Sequence, residues 1–403
     1  MSAGLMIAAM CVAEAVGMLS FATFPALLPT FMNEWNLTGT EAGWLSGLYF
    51  IGYMLAVPLL TGLTDRYDAR IIFLYSAAIS GIGTLAFAYL ATDFWTALPW
   101  RILAGAGLAG TYMPGLRALT DRLPAISQPR AVSFYTASFG VGTSGSYFFA
   151  GLINDWLDWQ WAFALSAIGP FICVVAALVL LRPKPLALEN ILPWSALFDY
   201  RPVLRSREAM AYICSYSFHS WELFGFRTWI VAYLAFSLSL QPDPGIAIIS
   251  ATTIAALLNL LGLPASVIGN ELATRFGRRR VVATIMGSSA ALALAVGLSP
   301  GLPYVAVVGL LCVYAITVTG ESSSVTTGTV LAAPPDRKGA AMALHSLLGF
   351  AFAFLGSLAP GIALDYFGGT TSSTAWFLAF AVMALGVVMG PVVLFALARG
   401  RRT

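Results

Sequence analysis

The sequence predicts an all-α integral membrane protein: twelve transmembrane helices in two pseudo-symmetric six-helix bundles. Three observations predict it. Of 403 residues, 59% are hydrophobic and 10% charged, where soluble domains carry about 25% charged residues; the mean hydropathy is +0.82. Apolar runs long enough to cross the hydrocarbon layer recur twelve times between turn and charge punctuation. Basic residues outside the spans are confined to alternate loops, which fixes both the count of spans and their direction.

The first span, 3–31, reads as a retained helix and not as a signal peptide. No Lys or Arg precedes its apolar run, Glu14 interrupts it, and no A-x-A-like site leads into a soluble domain. The next five spans are 42–61, 71–92, 95–119, 130–153 and 160–181, separated by short loops. One long connection follows, RPKPLALENILPWSALFDYRPVLRSRE at 182–208, which is Pro-rich and basic. It divides an N-terminal bundle, 1–181, from a C-terminal bundle, 209–403. The remaining spans are 209–237, 246–268, 280–298, 303–331, 340–363 and 374–397.

Basic residues set the orientation. One set of junctions carries Arg66 and Arg70; Arg117, Arg122 and Arg130; and Arg182, Lys184, Arg201, Arg205 and Arg207. In the second half it carries Arg275, Arg278, Arg279 and Arg280, then Arg337 and Lys338, then Arg399, Arg401 and Arg402. The opposite loops hold none of them, but hold Glu34, Asp93, Asp158 and Asp243. By the positive-inside rule both termini and the central loop are cytoplasmic. Of the 21 Lys and Arg only Arg101 and Arg227 remain, and both fall inside spans.

Several function classes drop out. No GxxxxGK[ST] run is present, so no P-loop nucleotide site is expected. Cys11, Cys173, Cys214 and Cys312 each lie in an apolar span without CxxC spacing, so they read as small buried hydrophobes and not as a disulfide or zinc set. No enzyme activity, cofactor, metal or nucleic-acid partner is expected. The lipid bilayer is an expected partner; a small-molecule substrate and protons are the other partners expected, from the features that follow, and the chain is expected to be a monomer.

The halves also repeat. GLTDRYDAR at 62–70 and ELATRFGRR at 271–279 follow the second and eighth spans, with Arg66 and Arg275 209 residues apart. AGLIND at 150–155 and PGIALD at 360–365 end the fifth and eleventh spans at an offset of 210. Many secondary transporters are built from such repeats, with the substrate site near the midplane between them.

With these motifs the sequence resembles the major facilitator superfamily. GLTDRYDAR resembles its loop motif between helices 2 and 3, ELATRFGRR a weaker second copy, and RILAGAGLAG at 101–110 the Arg-and-glycine pattern of helix 4. Asp68 stands where the family usually has Gly, and Glu271 and Thr274 depart in the second copy. The resemblance implies alternating access by two rocking bundles, with helices 1, 4, 7 and 10 lining a central cavity. It also implies that Asp65, Arg66, Arg70 and Arg117 form a charged latch of the inner gate, the alternative being surface topology signals.

Ionisable residues in the spans point to the same four helices: Glu14 on the first, Arg101 on the fourth, His219, Glu222 and Arg227 on the seventh, Glu321 on the tenth. A charge in the hydrocarbon layer costs at least ~2.5–3.5 kcal/mol, so such residues face a cavity or pair with each other. Arg227, Glu222, Arg101 and His219 are the substrate-binding candidates, with Tyr112 and Asn259 as further polar ones. The alternatives are a structural ion pair of Glu222 with Arg101 or Arg227, and an Arg101 that snorkels to the interface. Glu321 and Glu14 are the proton-coupling candidates; the alternative is a carboxylate kept neutral or paired. Glu321 sits in TGESSSVTTGT at 319–329, too polar to face lipid, which either lines a wet cavity or loosens the helix; close helix packing through small residues is a further alternative. His345, on the eleventh span, reads as a packed or gating histidine.

The expected function is secondary active transport of a small polar solute, an organic anion or carboxylate, coupled to protons by symport in a cell membrane, a bacterial inner membrane being expected. Efflux of a toxic organic compound or drug is the alternative.

Overall fold

A computed structural model describes residues 2–184, 199–243, 245, 247–335 and 337–398. Most of the central linker and the C-terminal Arg399, Arg401 and Arg402 lie outside these residues. The described helices form twelve segments. α1 is broken into Ala3–Gly17, a 3-10 turn at Met18–Ser20, Thr23–Ala26 and Leu28–Glu34. α2 is Gly39–Leu63, α3 Ala69–Leu90, α4 Phe94–Thr111 with Met113–Thr120, α5 Gln128–Trp156, and α6 Trp159–Ser166 with Ile168–Leu180. After a short helix at Arg201–Arg205 come α7, Arg207–Ser239; α8, Ala251–Phe276; α9, Arg278–Gly297; and α10, Tyr304–Gly320 with Ser322–Ala332. α11, Lys338–Tyr366, and α12, Ser373–Ala398, complete the chain. Among the described residues nine helices are long and apolar enough to cross a membrane. The others needed for the twelve, α4, α5 and α7, are more polar, and α7 is the helix that carries His219, Glu222 and Arg227.

Local chemistry starts and stops these helices. Asp68, Asp93 and Asp158 cap α3, α4 and α6, accepting the amides of Arg70, Thr96 and Trp161 at 3.0, 2.8 and 2.8 Å. Thr38 and Glu41 form a reciprocal box at the start of α2. α4 breaks at Tyr112 because Pro114 has no amide to offer the carbonyl of Gly110. α10 breaks at Glu321, within the hydroxyl-rich run, so the structure takes the loosened-helix option there. Thr319, Thr326 and Thr329 each donate to the carbonyl four residues back, at 2.8, 3.0 and 3.2 Å.

The chain divides into two compact units. The first comprises Met1–Leu27 and Leu48–Phe198. Here α2 and α4 cross backbone to backbone: a Cβ on Gly105 would lie 1.8 Å from the Tyr49 carbonyl oxygen, and one on Gly52 2.1 Å from that of Ile102. The Arg-and-glycine run of α4 is therefore a packing surface. Phe87 of α3 stacks on Phe163 of α6 at 4.2 Å. The second unit comprises Asp199–Thr403 together with Leu28–Gly47, whereas the sequence reading cut the chain only at the linker. The start of α2 is tied to this unit by Asp365, ending the PGIALD motif on α11, which accepts the amides of Gly39 and Thr40, each at 2.7 Å. Trp229 and Tyr233 of α7 pack against Trp376 of α12 at 6.2 and 5.4 Å.

Candidate functional site

The second unit gathers five of the eight substrate-binding and proton-coupling candidates on α7, α8 and α10. His219, Glu222 and Glu321 are all buried. His219 Nδ1 lies 2.8 Å from Glu321 Oε1, joining α7 to the break in α10. Glu222, one turn further along α7, accepts hydrogen bonds from Ser289 of α9 at 2.9 Å and Tyr314 of α10 at 3.0 Å. Three atoms of this cluster, His219 Nε2, Glu222 Oε2 and Glu321 Oε2, are buried without a hydrogen-bond partner. In a site of this kind such atoms are where a proton or a polar ligand can be received.

Arg227 is half-buried on α7. Its Nε donates to Asn259 Oδ1 of α8 at 2.8 Å, and its guanidinium lies 5.5 Å from the centre of the Phe224 ring. Asn259 Nδ2 in turn donates to the carbonyl of Ala255 at 2.9 Å, which fixes the amide so that its oxygen faces the arginine. Two sequence candidates thus form one pair. His345 of α11 stacks on Tyr216 at 3.7 Å, with Nδ1 3.2 Å from Thr329 Oγ1, as a packed histidine would.

The first unit holds the remaining candidates. Glu14 is buried on α1 and accepts from Tyr135 of α5 at 2.9 Å. Arg101 is 3% exposed, with Phe24 and Tyr49 ring centres 5.0 and 4.8 Å from its guanidinium carbon. It is covered by aromatic faces, a cation–π arrangement. Tyr112, at the break in α4, stacks on Tyr135 and meets Phe139 edge-on at 5.1 Å. A groove of about 540 Å³ runs between α1 and α5, lined mainly by apolar residues such as Ile7, Val12, Phe134 and Val141, with Arg130 among the lining residues.

Around the loop between α2 and α3, Arg117 pairs with Asp65 and donates to Thr64 Oγ1 at 2.7 Å. Arg70 Nε donates to the Ala177 carbonyl at 3.0 Å, close to the end of α6, where a cation suits the helix dipole. Arg66 is half-buried in the turn after α2. The better-shielded pair here is one that sequence reasoning missed, Asp68 with Arg122, at 2.8 and 2.6 Å. Their side chains are 9% and 8% exposed, against 42% and 39% for Asp65 and Arg117. The signal was present: Asp68 is the residue that departs from the motif. Nothing in the sequence marks Tyr135, Ser289 or Tyr314, which are ordinary residues until the fold brings them to a carboxylate.

Comparison with known proteins agrees with this architecture. Among solved structures, a bacterial homologue of the human lysosomal transporter Spinster superposes with a TM-score of 0.78 at 16% identity, over 98% of this chain and 97% of that one. The nucleoside transporter NupG gives 0.79 at 14% identity, over 97% and 99%. Among curated sequences, a probable sphingolipid transporter, spinster homolog 1 of Arabidopsis thaliana, is 26% identical over 38% of this chain and 31% of its own length. The niacin transporter NiaP of Acinetobacter baylyi is 25% identical over 35% of this chain and 32% of its own. The class H tetracycline resistance protein of Pasteurella multocida is 30% identical over 42% of each. The matches thus span about a third to two fifths of the length of these curated relatives. The pattern that defines the Major Facilitator Superfamily, however, matches residues 10–357, most of the sequence and parts of both six-helix halves, and the chain belongs to that superfamily.

Proposed function

We propose that the chain is a secondary active transporter that carries a small polar solute bearing a carboxylate, an organic anion, in symport with protons by alternating access. The observation that carries this reading is the buried His219–Glu321 pair beside Glu222. A carboxylate bonded to an imidazole can give up that bond when it takes a proton, and two carboxylates within electrostatic reach make proton uptake by one depend on the other. Arg227, steadied by Asn259, offers the forked donor set that matches a carboxylate. One relative is named a niacin transporter, and niacin is a small carboxylic acid. The setting is a cell membrane, such as a bacterial inner membrane.

The second reading, export of an organic compound, is favoured by the mainly apolar groove between α1 and α5 and by relatives named for efflux and tetracycline resistance. A thermal-shift screen of small carboxylates, sugars, amino acids and cationic dyes separates the two. The stabilising compound is then assayed in proteoliposomes with an internal pH probe. Acidification on substrate entry supports symport, and alkalinisation supports exchange. Arg227→Ala is expected to abolish binding of a carboxylate, and Glu321→Gln to stop proton-driven accumulation while leaving exchange intact. Normal uptake by Arg227→Ala would remove the anion reading.

A further inference from the structure

The first unit contains a three-member hydrogen-bond chain that the transport reading above does not use. Tyr135 Oη lies 2.9 Å from Glu14 Oε2 and 3.1 Å from the carbonyl oxygen of Thr111. All three residues are buried, with Glu14 2%, Tyr135 0% and Thr111 7% exposed. The other carboxylate oxygen of Glu14 is buried without a hydrogen-bond partner. Thr111 is the last residue before the break in α4. The hydroxyl reaches this place through a notch in α4: a Cβ on Gly115 would lie 2.3 Å from Tyr135 Oη.

A phenol has one proton to donate, and here two acceptors compete for it. We propose that Tyr135 is a positioning residue that transmits the protonation state of Glu14 to the break in α4. When Glu14 is ionised, the charge-assisted bond to the carboxylate claims the phenolic proton, and the Thr111 carbonyl goes without it. When Glu14 takes a proton, its own O–H donates to Tyr135 Oη. The phenolic O–H then turns to Thr111, and the broken helix gains a bond at its free end. No proton leaves Tyr135 in either state; only the direction of its hydrogen bond changes. This rests on the reading of Glu14 as a group that takes up a proton.

The groups around Glu14 are Cys11 on α1, Tyr135 on α5, Cys173 on α6, and Tyr49 on α2, which lies beneath the Arg101 guanidinium of α4. Cys173 Sγ donates to the Ala13 carbonyl at 3.0 Å, and Tyr112 stacks on Tyr135. Of these side-chain types, only a carboxyl ordinarily changes charge below pH 8.

The test is amide hydrogen exchange of residues 112–119 in the purified full-length chain at pH 5 and pH 8, corrected for intrinsic rates, with no substrate added. In the wild type, protection is expected to be roughly two- to tenfold greater at pH 5, the factor that one buried hydrogen bond supplies. Glu14→Gln, whose amide donates where the acid O–H would, is expected to hold the acid level of protection at both pH values. Tyr135→Phe is expected to abolish the pH difference. Gly115→Ala, which keeps the hydroxyl and the carboxylate but fills the notch, is expected to do the same and covers the case in which Tyr135→Phe does not fold. A wild-type pH difference that survives in either variant overturns the relay. A wild type without a pH difference that matches Glu14→Gln overturns the proton reading of Glu14, and the relay with it. A difference that persists in Glu14→Gln assigns the pH response to another group and overturns the proposal.

Discussion

Replacing Asp68 with asparagine tests how the loop between α2 and α3 is held to the rest of the first unit. Asp68 caps α3, accepts both close contacts from Arg122, and accepts the backbone amide of Lys184 at 2.8 Å, so one carboxylate ties α3, the end of α4 and the start of the linker. Removing one partner of a buried ion pair costs about 3–5 kcal/mol. Arg122 would keep the carbonyls of Ala118 and Arg182, at 2.9 and 2.7 Å. We therefore expect a loss at or below the lower end, about 2–3 kcal/mol. For a unit of this size that corresponds to a fall in unfolding midpoint of about 5–10 °C, measured in detergent for Asp68→Asn, Arg122→Ala and the double variant. Burial alone would push the Asp68 carboxyl up; the bonds from Arg122, Lys184 and Arg70 outweigh it and hold the group below the usual carboxylate range. A depressed folded value means that the stabilisation is complete above the unfolded value of about 3.9 and is lost as the pH falls through the folded value. The gap between wild type and Asp68→Asn should accordingly close in strong acid. A midpoint change below about 1 °C, or a coupling energy in the double-variant cycle under about 0.5 kcal/mol, would refute the reasoning.

Two further predictions follow from packing. Gly105→Ala should force α2 and α4 apart, since the new Cβ would lie 1.8 Å from the Tyr49 carbonyl oxygen. A cost of about 1–3 kcal/mol or more is expected, seen as a lowered unfolding midpoint or a loss of monodisperse protein in size-exclusion chromatography; an unchanged midpoint would contradict the close crossing. Asp365→Asn keeps one acceptor where the carboxylate has two. It should weaken the cap on α2 by about 0.5–2 kcal/mol, read as faster hydrogen exchange at Gly39 and Thr40; unchanged exchange there would show that the carboxylate is not what holds those amides.

Much of the fold was legible in the sequence because a bilayer leaves few options. Apolar length, basic loops and the offset repeats set the twelve segments, and even the charge-bearing α7 was visible as a span with His219, Glu222 and Arg227 inside. The helix breaks were legible in part: the hydroxyl run around Glu321 marked one. The partners were not. Spacing on α7 shows that His219 and Glu222 share a face, but not that one meets Glu321 while the other is taken by Ser289 and Tyr314. Those contacts depend on the rotation of α9 and α10 about their axes, which the mainly apolar stretches that carry Ser289 and Tyr314 do not record. Arg101 shows the same gap. Its burial under Phe24 and Tyr49 follows from the glycine crossing of α2 and α4, which brings Tyr49 within reach.

Asp365 sits in the last turn of its own helix, where the backbone dipole disfavours a negative charge. Its stabilising contribution therefore comes from the amides of another segment. Any state of the molecule in which α2 withdraws from α11 returns that carboxylate to the wrong end of its own dipole and leaves two amides of α2 in search of an acceptor. The two penalties arise together and from a single separation. Contact at this spot is consequently closer to a toggle than to a graded spring, and protonating or amidating one side chain is enough to soften it.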